Sequence, residues 1–242
     1  MKYPRILILL IVSLTTLKTS AQQFRGGVFL GPAITEVAGF SAASGNAGEF
    51  HKFGLDAGIL VNSKLGKKSE LQMEFAFIQE GSQIKPDTTN NNNYYTFNLN
   101  YISLALLYRK HIHISVSKKP TDQMGFEAGL SYNVLAGYKY ELKSVDQSQN
   151  ITVNKSCFGG TVGLFYDISP HVTFGGRYSN SFTPVIPRNG AQPPGIVGVL
   201  YRTWNSGNNM VFQLYFAINF GKGRDLGTSS TTPPPAPAAP NE

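Results

Sequence analysis

The stretch Met210-Val-Phe-Gln-Leu-Tyr-Phe-Ala-Ile-Asn-Phe220 decides the fold. Taken every second residue, one face is Met210, Phe212, Leu214, Phe216, Ile218 and Phe220. The other is Val211, Gln213, Tyr215, Ala217 and Asn219. A period of two belongs to a strand. One face is wholly apolar, and the other is mostly small or polar. The run is long for a globular strand and suits a tilted strand that crosses a bilayer. It ends on an aromatic ring, Phe220, and turns to Gly221-Lys-Gly-Arg224. A ring at the interface with charge beyond it is how a membrane strand leaves hydrocarbon. Leu214 and Phe216 are therefore expected to be lipid-facing, with the rest of their face. Gln213 and Tyr215 are expected to point inward.

Upstream, the same period recurs seven times. Strands are predicted over about 24–30, 52–61, 70–79, 95–109, 123–138, 158–168 and 172–182. Each has one apolar face, such as Leu71, Met73, Phe75 and Phe77. The opposite faces are rich in Gly, Ser, Asn and isolated charges. A sandwich would put Lys, Glu and Thr toward bulk water. A narrow lumen filled by side chains wants the composition seen here. Long connections, 32–51, 80–94, 139–157 and 183–209, alternate with shorter ones, 62–69 and 169–171. The connection 110–122 is longer than the pattern asks. The expected architecture is an all-β, eight-stranded antiparallel up-and-down transmembrane barrel over 22–220. Long loops are expected outside the cell and both termini in the periplasm. The segment Gly195-Ile-Val-Gly-Val-Leu-Tyr-Arg-Thr-Trp204 is apolar enough for a ninth strand, which would break the parity. We read it as an extension above the membrane or a loop over the mouth.

The bulk numbers agree. Charged residues make up only 14% of the 242, and there are 25 Gly, 16 Phe and 12 Tyr. After residue 20 no apolar run is long enough for a membrane helix, so spanning must be done by strands. Residues 1–21 read as a signal peptide: Lys2 and Arg5, an apolar core 6–17, and Thr19-Ser-Ala21 before the cut. The formal charge of +7, less Lys2, Arg5 and Lys18, leaves +4 on the mature chain. Those cations are scattered, so no nucleic-acid stripe is present. The single Cys157 excludes a disulfide scaffold or a cysteine zinc cluster. Residues 221–242 hold Thr-Thr-Pro-Pro-Pro-Ala-Pro and cannot pair in a sheet, so a disordered periplasmic tail is expected.

Seven ionisable residues fall on inward faces: Arg25, Asp56, Glu74, Arg109, Glu127, Asp167 and Arg177. Charges in a low-dielectric lumen must pair, so a salt-bridge network is expected, with Arg177 gripping Glu74 or Glu127. An ion path or an acid–base carboxylate pair is the functional alternative. His111-x-His113 puts two imidazoles on one side of an extended segment, but no third ligand is near and a solvated turn is expected. Phe158-Gly-Gly-Thr-Val-Gly163 lacks the lysine and helix of a phosphate loop. Tyr94, Tyr95, Tyr108, Tyr138, Tyr140, Tyr166, Phe182 and Phe220 are the expected interface rings. No catalytic residue, cofactor or metal is expected. Outer-membrane lipid and the barrel-assembly machinery are the expected partners. Two function classes follow: a non-enzymatic structural or interaction barrel working through its loops, or a narrow porin-like channel or barrel enzyme acting on lipid. An enzyme should show a polar constellation at one rim, and the sequence offers none, which favours the first.

Several stretches carry a family likeness: Phe24-Arg-Gly-Gly-Val-Phe-Leu-Gly31, Leu71-Gln-Met-Glu-Phe-Ala-Phe-Ile-Gln-Glu-Gly81, Tyr101-Ile-Ser-Leu-Ala-Leu-Leu-Tyr108, Phe126-Glu-Ala-Gly-Leu130 and Gly176-Arg-Tyr178. In these the chain resembles the PorT-like outer-membrane β-barrel family of Gram-negative bacteria. The likeness spans roughly 22–220. The family typically has Pro where this chain has Ala105. The resemblance implies a barrel. Through the family's namesake it also implies an accessory role in protein secretion, with secretion-system or envelope proteins as partners.

Overall fold

A computed structural model describes residues 24–38, 50, 52–86, 94–112, 114–116, 119–121, 124–187 and 207–221. The signal-peptide segment, 195–204 and the tail beyond Gly221 lie outside the described residues. Eight strands form the barrel: β1 (Phe24–Val37), β2 (Lys52–Lys64), β3 (Ser69–Ile84), β4 (Tyr95–His111), β5 (Met124–Leu142), β6 (Ser156–Ser169), β7 (Val172–Ser181) and β8 (Asn209–Asn219). Each pairs antiparallel with its sequence neighbours, and β1 pairs with β8 to close the ring. The 110–122 connection carries a small hairpin, Ile114–Val116 against Lys119–Thr121. Among the described residues no helix is long and apolar enough to cross a membrane.

Alternation sets the walls. Along β8, Phe212, Leu214, Phe216 and Ile218 face outward, with Leu214 53% exposed. Gln213, Tyr215 and Ala217 face inward, with Tyr215 2% exposed. An exposed apolar belt runs round the whole ring, through Leu30, Ile59, Phe75, Leu106, Leu130, Leu164 and Phe174.

Several strands run past their expected ends, and β4 shows why. From Ile102 to Tyr108 its even residues are apolar and outward, while Ser103 and Arg109 are buried. From Tyr95 to Tyr101 the polarity inverts: Tyr95, Phe97, Leu99 and Tyr101 are buried, and Thr96, Asn98 and Asn100 take the outer side. The strand is unbroken, so the change marks the edge of the outer apolar belt. In register, Ile102 lies between Phe77 of β3 and Val134 of β5, both outward and exposed. Beyond that line the barrel is built like a soluble protein, apolar inside and polar outside. Tyr95 and Tyr140 are therefore core residues, at 4% and 0% exposure, and not interface rings. Burying such side chains contributes about 1.5–3 kcal/mol each.

Pro32 is another departure. It was expected to begin a loop but lies inside β1. In an antiparallel ladder the hydrogen-bonded pairs alternate. The bonds Phe220 N–H to Gly26 O and Ala38 N–H to Asn208 O fix the phase on the β1–β8 seam. By that phase Pro32 and Leu214 are a bonded pair, and Pro32 has no N–H to give. The β1–β8 register is interrupted at Gly31–Pro32, whereas the β1–β2 register is continuous. The Leu214 carbonyl is left without its ladder donor.

Two outcomes follow. Phe216→Arg should cost about 2–4 kcal/mol of barrel stability and Phe216→Leu little, read as the urea midpoint of heat-modifiable gel mobility. Pro32→Ala should stabilise. The restored bond removes a penalty of about 1–3 kcal/mol for an unmet carbonyl, against roughly 0.4–1 kcal/mol lost through a freer unfolded chain.

Candidate functional site

Among the described residues, polar groups converge on the inward side of the barrel wall. Arg177 of β7 lies near mid-height and reaches across the lumen. Its Nη1 and Nη2 donate to both Glu74 oxygens at 2.8 and 2.7 Å. Its Nε donates to Glu127, which also accepts the Tyr215 hydroxyl at 3.1 Å. Arg109 ion-pairs with Glu127 at 3.3 Å and donates to Gln72 at 2.9 Å. Gln72 in turn donates to Glu74. The guanidinium of Arg177 stacks 4.0 Å from the Tyr215 ring, and that of Arg109 3.8 Å from the Phe165 ring. Glycines on neighbouring strands make the room. A Cβ at Gly163 would sit 2.9 Å from Arg177 Cγ, and one at Gly175 would sit 2.4 Å from the Tyr215 ring.

Toward the short turns, Arg25 pairs with Glu70 at 2.6 Å. Asp167 meets His111 at 2.8 Å and accepts the Thr173 hydroxyl at 2.6 Å. The last acid of the expected set, Asp56, is buried beside the Gln213 amide, with no ion pair among the described residues.

Sequence reasoning missed the burial of five further acidic or basic side chains: Glu36, Lys52, Glu70, Glu80 and His111. Glu80 was assigned to a loop, yet it is buried in β3 and accepts from Asn209. Lys52, Glu70 and Glu80 share the inward parity of Asp56 and Glu74; Lys52 and Glu70 are the first residues of expected strands, and of these three only Glu80 was lost to a strand end set too early. His111 is not in a solvated turn. It is 2% exposed, packed edge-on to Phe165 at 4.7 Å. His113 lies outside the described residues. Among those described, no three His, Cys, Asp or Glu gather to hold a metal ion.

Above the charged layer the lumen is closed by Tyr95, Phe97, Leu99, Tyr101 and Tyr140, with Cys157 among them. A strap completes the cover. Lys143 and Ser144, both at positive φ, turn the chain back on β5. Ile151, Val185 and Ile186 then bury against the aromatic cluster. The Asn154 N–H donates to Val185 O at 2.7 Å, and the Val185 N–H donates to Gly207 O at 2.6 Å. The internal space left beside Arg177 is about 40 Å³. A larger groove of about 820 Å³ lies on the outer wall, over Pro32, Leu164, Gly176 and Leu214. The Arg177 and Gln213 side chains turn away from it into the lumen, so it offers no convergent polar groups for chemistry.

The closed ring, outer apolar belt and charged interior describe a membrane barrel, and a family model for the outer membrane protein beta-barrel domain matches residues 20–187. The chain belongs to that family. It is an outer-membrane barrel protein. Among solved structures it is similar to the Neisserial surface protein A, at 12% identity and a TM-score of 0.43, covering 81% of this chain and 97% of that one. It is similar to CarO of Acinetobacter baumannii at 9% identity and a TM-score of 0.43, covering 80% and 98%. It is also similar to OprG of Pseudomonas aeruginosa at 12% identity and a TM-score of 0.37, covering 82% and 95%. No curated protein sequence matches the chain.

Removing Arg177 strands buried carboxylates, so Arg177→Ala should cost on the order of 3–5 kcal/mol. The two acids are not equivalent. Glu127 keeps Arg109 and Tyr215, whereas Glu74 keeps only Gln72. Arg177→Met with Glu74→Gln should therefore recover more stability than Arg177→Met with Glu127→Gln, measured by urea unfolding.

Proposed function

We propose that this outer-membrane barrel is non-enzymatic, has a closed lumen, and works through its long-loop end as a structural or interaction protein. The observation that carries this is the filled interior. Arg177 and Arg109 hold Glu74 and Glu127 at mid-height, an aromatic cluster and a strap cover one end, and the cavity beside Arg177 is about 40 Å³. An enzyme would need an accessible polar constellation, and a channel a continuous water path. Neither exists among the described residues. The long connections lie outside the cell and both termini in the periplasm. The apolar belt, including Met210 and Phe220 at the two ends of the last strand, contacts lipid. The narrower reading, from the PorT-like resemblance, makes the barrel an accessory of protein secretion.

Reconstituted in planar bilayers, the protein should show no stable conductance. A steady ohmic pore would replace this reading with the narrow-channel one. Cys157, at 2% exposure behind the strap, should resist a soluble thiol reagent in the folded barrel and react on unfolding. Val185→Asp should speed its labelling at least tenfold. A deletion strain then separates the roles. Lost export of secreted proteins with an intact permeability barrier supports the secretion role, and leakiness alone supports a structural one.

A further inference from the structure

The wall opens along one edge of β5. The β5–β6 ladder runs as far as Val134 opposite Ser156. One more bond, from the Leu135 N–H to Lys155 O at 2.8 Å, joins the two chains. Backbone bonding resumes at Tyr140, whose N–H donates to Ser148 Oγ at 2.9 Å and whose carbonyl accepts from the Gln147 N–H at 2.8 Å. Between these ties β5 has no ladder partner on that side among the described residues. Two features part the chains. Ala136 is an extra residue against β4, where Leu135 and Gly137 pair with Tyr101 and Asn100. Ile151 draws the strap toward the aromatic cluster.

A groove of about 490 Å³ results, walled by Val134, Leu135, Ala136, Ile151 and Val153. Gly137 lies in it, and a Cβ there would meet no atom within 4 Å. By contrast, a Cβ at Gly129 on the same strand would sit 2.1 Å from the Leu106 carbonyl. The ties at Leu135 and Tyr140 frame the groove at both ends, so it is preformed.

Val134, at its foot, is beside Ile102, where the outer apolar belt ends. Below it, Tyr132 and Phe158 pack across β5 and β6 at 4.9 Å, both outward and exposed. The groove thus continues the lipid-facing wall into the headgroup layer. Lys155 also lines it, exposed and without an ion pair among the described residues. Lys139, higher on β5, is already paired with Glu141 at 2.7 Å. A soluble anion would leave the apolar walls uncovered. A neutral lipid would leave Lys155 unmatched. An amphiphile with an anionic head answers both.

We propose that this groove holds one anionic lipid, with its phosphate at Lys155 and its acyl chain running over Val134 and the Tyr132–Phe158 pair. The inference rests on the contact of the belt with lipid, and neither a closed nor a conducting lumen alters it.

The test is native mass spectrometry of the full barrel, released from detergent after mixing with equal amounts of phosphatidylglycerol and phosphatidylcholine of the same chains. One phosphatidylglycerol should stay bound, favoured about fivefold, which is the contribution of one lysine near a lipid surface. Lys155→Gln should bring the two lipids level. Gly137→Phe should fill the open space and lose both lipids, with the heat-modifiable mobility of a folded barrel intact. Lys139→Gln should keep the preference. Equal retention of the two lipids by the wild type overturns the proposal. A preference that survives Lys155→Gln, or retention unchanged in Gly137→Phe, overturns it too. No lipid retained at all does the same, and leaves the groove to a protein segment. Lys155→Gln decides the matter even if Gly137→Phe fails to fold.

Discussion

Arg177 holds carboxylates from two other strands, Glu74 of β3 and Glu127 of β5, in a lumen too narrow for bulk water to separate them. That constraint governs much of the interior. A guanidinium can stay charged there only because it grips Glu74 with two bonds and Glu127 with a third. Its bulk requires a glycine at Gly163, and the Tyr215 ring beneath it requires another at Gly175. The Gly-rich inward faces are thus the holes into which a few large polar side chains fit. The same demand explains the change of filling along the axis. Inside the apolar belt, inward positions are charged and mutually bonded. Past the belt the outer face turns polar, and the interior can be aromatic and aliphatic.

Much of this was legible in sequence because a membrane strand writes both its faces. The β8 stretch gives the period, the lipid side and the lumen side within eleven residues. The inward set from Arg25 to Arg177 came from the same parity. The reading stopped where polarity inverts. Tyr95-Thr-Phe-Asn-Leu-Asn-Tyr101 has a clean period of two, but its apolar face points inward. A rule that sends aromatic residues to the interface therefore misplaces Tyr95, and with it Tyr140. Strand ends set too early also hid Glu80. His111 was obscured by a different effect. Beside a turn, nothing local says that a histidine will be buried, and its partner Asp167 is 56 residues away.

The seam that closes the ring carries the fold's least regular backbone. Pro32 removes a ladder bond between β1 and β8. A gap there should favour strand separation, because an unmet carbonyl in hydrocarbon is costly. The side chains answer from within. Asn62 of β2 donates to Asn219 of β8 at 2.8 Å. Asn209, at the other end of β8, donates to Glu80 of β3. Both ties pass over β1 on the lumen side and hold β8 to the strands beyond it, one at each end of the seam. The break lies between them. Gly31, next to Pro32, pairs with Asp56 on β2, so the interrupted backbone and a buried carboxylate occupy the same level of the wall. A barrel tied at both rims of its seam and crossed at mid-height by Arg177 can tolerate one missing bond there. Without those ties, the closing strand would depend on a ladder that its own sequence interrupts.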